Sequence, residues 1–131
     1  MKIKKRSAEW YISATHWLTS TIGMVLISLT IKVVLSFLHP NLTNVTYLYY
    51  FLYPVVMLLC VIYSAKYVNR TYIIKDVNKI VAISMVYMII IVGGFIGMNF
   101  LSNGLIYPDY IGLIFAIILF YFVSNKYLKV V

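Results

Sequence analysis

Residues 80–101 read IVAISMVYMIIIVGGFIGMNFL and contain no charged side chain. A helix of about 20 mainly apolar residues is long enough to cross the hydrocarbon core of a membrane, since each residue adds about 1.5 Å along its axis. Three more stretches share this character, at about residues 10–37, 46–68 and 105–124. The sequence therefore predicts an all-α membrane protein with four transmembrane helices, in which residues 1–131 form a single integral membrane domain.

The composition of the whole chain agrees with this prediction. Of its 131 residues, 63% are hydrophobic and 11% are charged, whereas about a quarter of the residues in a soluble domain are charged. Lipid is therefore expected to be the solvent for most of the surface. The formal net charge is +8, but the cations flank the apolar runs and do not line a polar face. We expect anionic lipid headgroups as their partners, and no nucleic acid.

The positions of the basic residues predict the orientation. Ten of the eleven lie before the first span, between Lys66 at the inner end of the second span and Lys79 before the third, or after the fourth span, and the exception is Lys32 in the outer half of the first span. Basic residues favour the cytoplasmic side. We therefore expect a multi-pass protein of the inner or plasma membrane with both the N-terminus and the C-terminus in the cytoplasm. Because the charge is so unbalanced, any homo-oligomer is expected to be parallel.

Two short segments, NRTYII at residues 69–74 and NKYLKV at residues 125–130, follow the second and fourth spans. Both have the order Asn, basic, any residue, large apolar or aromatic, any residue, aliphatic. The chain thus reads as two tandem helical hairpins in a parallel pseudo-repeat. Each Asn can cap a helix C-terminus, and Arg70 and Lys126 then lie at negative helix ends within reach of lipid phosphates. Alternatively, any helix that leaves the membrane inward ends in this way.

This arrangement resembles the GtrA family of short four-span proteins, whose signature after the second and fourth spans is Asn-Arg-x-Trp-x-Phe-like. The matching residues are Asn69, Arg70, Tyr72 and Ile74 in the first copy and Asn125, Lys126, Leu128 and Val130 in the second. The resemblance implies that the chain assists translocation, or flipping, of a polyprenyl-phosphate-linked sugar for a cell-surface polysaccharide or for teichoic acid glycosylation. It also implies a polyprenyl-phosphate glycosyltransferase as a partner.

The residues that could carry chemistry are few. The acidic residues Glu9, Asp76 and Asp109 are predicted at membrane boundaries, whereas a small multidrug-resistance-like exporter needs a carboxylate deep in the bilayer. No nucleophile has a base and an acid to orient it, and no His/Cys cluster has metal-ligand spacing. A haem on His16 would lack a second axial ligand, since His39 is predicted at the opposite face. We expect no enzyme, metal or cofactor.

Two alternatives to the GtrA-like function remain open from the sequence. The chain could be an accessory, scaffold or immunity subunit that transports nothing, or, third, a small multidrug-resistance-like exporter. In the first span, Lys32 is interpreted either as snorkelling to the outer headgroups or as binding the carrier phosphate. His16 is expected to be a neutral imidazole bonded to a neighbouring helix or, alternatively, a substrate contact. The predicted substrate-binding residues are His16, Lys32, Asn69, Arg70, Asn125 and Lys126.

Several features predict packing. Gly93 and Gly97 permit close approach of helices, either within the chain or across a dimer. Cys60, the single cysteine, is predicted to be buried. Turns are predicted at residues 39–41 and 102–104. An outer aromatic belt, or alternatively a sugar-stacking surface, is predicted from Tyr47, Tyr49, Tyr50, Tyr53, Tyr107 and Tyr110.

Overall fold

Helices account for nearly all of the structure, a computed structural model that describes residues 3–38, 46–104 and 109–130, with only the backbone at 46–50 and 109. The four helices are α1 (Glu9–Leu38), α2 (Thr46–Thr71), α3 (Val77–Asn103) and α4 (Asp109–Tyr127). All four are long and apolar enough to span a membrane. The predicted all-helical fold with four such helices is confirmed.

Local signals define both ends of α3. The side chain of Asp76 accepts a hydrogen bond from the backbone N–H of Lys79 at 3.2 Å and so caps the N-terminus. At the other end Gly104 has φ +66°, in the left-handed region, and its N–H donates to the carbonyl of Phe100 at 2.7 Å. Of the turn predicted at residues 102–104, Ser102 and Asn103 still belong to α3, and the helix ends at Gly104. The turn predicted at 39–41 lies outside the described residues.

The helices follow the order α1, α2, α4, α3 around the bundle. α2 packs most extensively against α4 and then against α1, while α3 packs against α1 and less closely against α4. The main core lies between α2 and α4 and includes Met57, Val61 and Phe120, all fully buried. A second core cluster, which includes Ile12, Ile80 and Leu128, lies where α1 and α3 begin and α4 ends. We call this side, which carries both chain termini, the terminal end.

The segment before α1 is tied to the segment after α2. The N–H of Lys5 donates to the carbonyl of Thr71 at 2.7 Å, and the N–H of Ile73 donates to the carbonyl of Lys5 at 3.1 Å. These bonds form a parallel β-bridge between Lys5 and Tyr72. The bridge places residues 6–8 beside residues 73–75 at the terminal end.

One glycine lies at a close contact between two helices. A Cβ atom added to Gly23 of α1 would lie 3.2 Å from Sγ of Cys60 in α2, which is tighter than ordinary van der Waals contact, so a side chain larger than that of Ala does not fit without displacing its neighbour. Cys60 is buried, as predicted. By contrast, no described atom lies within 4 Å of a Cβ built on Gly93 or Gly97. Close packing of those two glycines inside one chain is therefore not seen in the described part.

Candidate functional site

His16 lies at the centre of the buried polar groups. It is fully buried on α1, two turns from the start of the helix. Its Nδ1 lies 2.8 Å from Oγ of Ser64 in α2, and its Nε2 lies 2.8 Å from Oγ of Ser124 in α4. The ring also packs against Phe120, with 5.2 Å between centroids. The hydrogen bond expected between His16 and a neighbouring helix is thus present, and it reaches two helices at once.

The surrounding bonds identify the tautomer of His16. Ser64 donates its hydroxyl proton to the carbonyl of His16 at 2.9 Å, so the Ser64 oxygen is left to accept from Nδ1–H. A neutral imidazole has one donor and one acceptor nitrogen. Nε2 is then the acceptor and receives the proton of Ser124. Neutral His16 with its proton on Nδ1 satisfies each of these three hydrogen bonds and ties α1, α2 and α4 together.

Buried serines extend this polar contact along the bundle. Ser84 of α3 donates to the carbonyl of Ile80 at 2.8 Å and lies 3.2 Å from the carbonyl of Ser13 on α1. Ser20 donates to the carbonyl of His16 at 2.8 Å. Hydroxyls that bond across helices hold membrane bundles together, at about 0.6 kcal/mol each. Sequence reasoning identified His16 but missed Ser64, Ser84 and Ser124, each of which is an isolated serine beside apolar residues.

Lys32 is partly buried and reaches back to α2. Its Nζ donates to Oη of Tyr53 at 2.7 Å and lies 5.0 Å from the centre of the same ring. A phenol oxygen and an aromatic face both stabilise an ammonium group in an apolar setting. Lys32 is 16 residues from His16, or about 24 Å along α1, so the two residues do not share one site. The snorkelling and phosphate-binding interpretations of Lys32 both stay predictions.

The two asparagines of the repeated segments bind different acceptors. The amide nitrogen of Asn69 donates to the carbonyl of Tyr127 at 2.8 Å, and its amide oxygen accepts from the N–H of Lys129 at 3.1 Å. Asn69 therefore joins the end of α2 to the chain after α4. The amide nitrogen of Asn125 donates within its own helix, to the carbonyl of Tyr121 at 3.1 Å. Both amide atoms of Asn69 are thus engaged by the backbone.

Of the two asparagines only Asn69 bonds to another segment. The variant Asn69→Asp therefore tests whether this contact between the end of α2 and the chain after α4 stabilises the bundle. The variant replaces a donor with an oxygen facing the carbonyl of Tyr127, and we expect a loss of about 1–3 kcal/mol in unfolding free energy. The oxygen that accepts from the N–H of Lys129 is kept, so the loss reports on the bond to Tyr127. The matched control is Asn125→Asp, which loses only a bond within α4. Equal losses in the two variants, measured by denaturant titration in micelles, would contradict the bridging role.

Arg70 and Lys126 lie together at the terminal end. Each is exposed and belongs to the last turn of its helix, Arg70 on α2 and Lys126 on α4. The Asn69 bridge places these helix ends side by side. Cations there stabilise the negative ends of both helix dipoles and are open to anionic headgroups. The structure thus brings four predicted residues to one end, Asn69, Arg70, Asn125 and Lys126, while His16 lies deeper and Lys32 lies toward the opposite end.

A groove of about 380 Å³ lies between α1 and α3 beyond the polar contacts of the terminal end. We call it the lateral groove. Its floor includes Met57 of α2 and Ala116 of α4, and its lining runs from Trp17 to Leu26 on α1 and from Met88 to Ile96 on α3. These ranges correspond to about 12–14 Å along the bundle, a little under half of a hydrocarbon core.

The lateral groove is apolar and opens sideways. Leu18 and Ile22 on one rim and Ile91 and Phe95 on the other are all exposed, between 42% and 61%. Trp17 lines the part nearest the terminal end, and its indole N–H is buried with no hydrogen-bond partner among the described residues. An unpaired donor in an apolar setting is unfavourable unless something supplies an acceptor. The surface that the groove presents is therefore apolar throughout and suits an apolar chain.

The remaining predicted features can be placed briefly. Glu9 and Asp109 are the first residues of α1 and α4, and Asp76 caps α3, so the acidic residues lie at helix ends as predicted. In the described ranges no group of three or more His, Cys, Asp or Glu side chains could hold a metal ion. Of the tyrosine belt, Tyr53 contacts Lys32 and Tyr110 contacts Asn99. The side chains of Tyr47, Tyr49, Tyr50 and Tyr107 lie outside the described residues.

No known family model, curated protein or solved structure matches the chain.

Proposed function

We propose that the protein assists translocation of a polyprenyl-phosphate-linked sugar across the inner or plasma membrane, with both termini in the cytoplasm. The sugar would serve a cell-surface polysaccharide or teichoic acid glycosylation, as in the GtrA-like proteins that the sequence resembles. The observation that carries the proposal is the lateral groove. A polyprenyl chain is apolar, unbranched in its backbone and anchored in lipid, and the groove offers it an apolar surface entered from the membrane.

The polar part of such a carrier also has partners along the bundle. Arg70 and Lys126 lie at the terminal end, where an anionic carrier phosphate in the cytoplasmic leaflet would meet them. Lys32, held by Tyr53, supplies a cation in the other half of α1. These positions support a path for the phosphate from the terminal end toward the opposite face.

The proposal extends to architecture and partners. The two hairpins would be tandem parallel repeats, supported by the corresponding positions of the two Asn-basic pairs at the ends of α2 and α4, although Asn69 and Asn125 bind different acceptors. A parallel homo-oligomer and a polyprenyl-phosphate glycosyltransferase would be its protein partners. The small exporter receives no support, since the acidic residues lie at helix ends.

The decisive experiment obstructs the lateral groove with a larger side chain. Val92 lines it on α3, so Val92→Trp should obstruct it, while the matched control Ile90→Trp adds the same ring to an exposed position on the same helix. In proteoliposomes with a labelled short-chain polyprenyl-phosphate-glucose, we expect Val92→Trp to slow transfer about tenfold, equivalent to roughly 1.4 kcal/mol. The control should keep the rate of the unmodified protein.

Two results would exclude the proposal. One is that the unmodified protein moves the labelled lipid no faster than empty vesicles. The other is that neither Val92→Trp nor the pair Lys32→Ala with Arg70→Ala changes the rate. Helix content and monodispersity of each variant exclude loss of the fold as the cause of a slow rate.

A second candidate function, a non-transporting scaffold or accessory subunit, is favoured by the open glycine face of α3. Gly93 and Gly94 are exposed, and Gly97 has no described neighbour near its missing Cβ. Small residues at this spacing allow another helix to approach closely. A subunit that holds a partner in the membrane needs such a face.

We predict that Gly93→Leu with Gly97→Leu shifts the protein from oligomer to monomer without unfolding it, because the added side chains meet nothing in the described part of one protomer. Single-molecule photobleaching in vesicles measures the stoichiometry. Met98→Ala, at an exposed position on a different face of α3, is the control. An unchanged stoichiometry in the glycine variant would show that this face is not used between copies.

A further inference from the structure

A second cavity lies at the terminal end, apart from the lateral groove. It measures about 480 Å³ and is lined by Arg6, Ser7, Glu9, Ile73 and Lys75, with Ile12 and Ile80 among its apolar residues. The β-bridge between Lys5 and Tyr72 builds it, because the bridge holds the segment before α1 beside the turn before α3. None of these residues belongs to the predicted substrate site.

The charge of this cavity is positive. Glu9 pairs with Lys79, so these two opposite charges compensate one another. Asp76 accepts the N–H of Lys79 as the cap of α3. Within the described ranges neither Arg6 nor Lys75 forms an ion pair. Two cations thus face a cavity whose only acidic lining residue is already engaged.

The chemistry of the walls indicates a particular ligand. Arg presents a planar fork of donors that suits phosphate oxygens, and Lys adds a compact positive charge. Ser7 offers a hydroxyl, and α1 begins at Glu9, where a helix leaves N–H groups without intrahelical acceptors. The floor is different: Ile12 and Ile80 are 1% and 0% exposed and close the cavity from beneath, while half-buried Ile73 and exposed Ala8 supply its accessible hydrocarbon. A cationic rim above an apolar floor fits a group that is anionic at one end and apolar at the other.

The position of the cavity relative to the apolar helices indicates which ligand of this kind it binds. α1 and α3 are long and apolar enough to span a membrane, and both begin at this cavity. The cavity therefore lies where the apolar part of the bundle ends, which is the level of lipid headgroups. From this geometry we infer that the cavity binds the phosphate of an anionic membrane phospholipid between Arg6 and Lys75, with the upper part of the lipid against Ala8 and Ile73. This binding does not depend on the proposed function.

The test measures lipid binding to the full chain in neutral detergent micelles by native mass spectrometry, with phosphatidylglycerol and with phosphatidylcholine of the same acyl chains. We expect phosphatidylglycerol to bind at least about tenfold more tightly. The variant Arg6→Gln with Lys75→Gln should lose about tenfold in affinity for it. The control, Lys66→Gln with Lys129→Gln, removes the same charge from exposed positions outside the cavity and should change affinity less than about twofold.

Three outcomes would overturn the inference. Equal affinity of the unmodified protein for the two lipids would exclude recognition of the anionic group, and this comparison requires no variant. Equal losses of affinity for phosphatidylglycerol in the two double variants would mean that the protein attracts anionic lipid by its overall charge, without a specific site. Binding of free glycerol phosphate, or of an acidic peptide, that phosphatidylglycerol fails to displace would assign the cavity to a water-soluble partner. The variant Arg6→Lys keeps the positive charge but loses the planar donors of the guanidinium group, so it should retain part of the affinity for phosphatidylglycerol.

Discussion

Replacing His16 by Ala is expected to lower the free energy of unfolding by about 3 kcal/mol. The variant loses both ring hydrogen bonds, to Ser64 and Ser124, each worth up to about 1.7 kcal/mol in a membrane bundle. It also leaves a cavity beside Phe120, and buried large-to-small changes typically cost about 2–5 kcal/mol. Steric trapping or denaturant titration in micelles measures this loss.

Two further variants separate the hydrogen bonds of His16 from its volume. Ser124→Ala removes one bond and little volume, so it should cost about 1 kcal/mol, and it should cost nothing when added to His16→Ala. Thr30→Ala is the matched control, because Thr30 is exposed on α1 and bonds only to the carbonyl of Leu26 in its own helix. If His16→Ala were no more harmful than Thr30→Ala, the imidazole would not hold the helices together.

Replacing Gly23 by Val should destabilise the bundle by about 3 kcal/mol, at the upper end of the usual overpacking range. The first added atom would already lie 3.2 Å from Sγ of Cys60, and a β-branched side chain in a helix cannot turn both methyl groups away. The loss should appear as a lower midpoint of unfolding. Gly23→Ala should be close to neutral, because the tight contact is offset by a gain of about 1 kcal/mol in helix propensity.

The partner of Gly23 provides the control for this prediction. Cys60→Ala removes the sulfur and leaves only its Cβ, which lies 3.7 Å from a Cβ atom added to Gly23. Combined with Gly23→Val, it should restore about half of the lost stability, with a coupling energy in the range of about 0.5–3 kcal/mol found for residues in contact. Strict additivity of the two changes would mean that the contact between α1 and α2 does not limit the size of residue 23.

Helix number and approximate bounds could be predicted from the sequence because each follows from local composition. The run at residues 80–101 is apolar enough to define α3, and Asp76 and Gly104 mark its ends by cap chemistry. The burial of Cys60 followed in the same way from its apolar surroundings. None of these inferences needs knowledge of which helices touch.

Predicting the candidate site, by contrast, requires knowing which helices are in contact. The sequence predicts that His16 bonds to a neighbouring helix, but its partners Ser64 and Ser124 are 48 and 108 positions away, and an isolated serine carries no signal of its partner. The lateral groove arises where α1 and α3 diverge, which is a property of packing. Arg6 and Lys75 share a cavity only because the backbone of Lys5 bonds to Thr71 and Ile73.

The long separation between His16 and its partners has a consequence for biogenesis. When the ribosome has completed α1, neither serine has been synthesised. The imidazole ring therefore enters the membrane before its hydrogen-bond partners on the other helices exist. Ser64 arrives with the second helix, but the Nε2 atom stays unmatched until the last helix is delivered. A nascent chain that ends before residue 124 therefore carries in its first helix a ring nitrogen that lacks its hydrogen-bond donor.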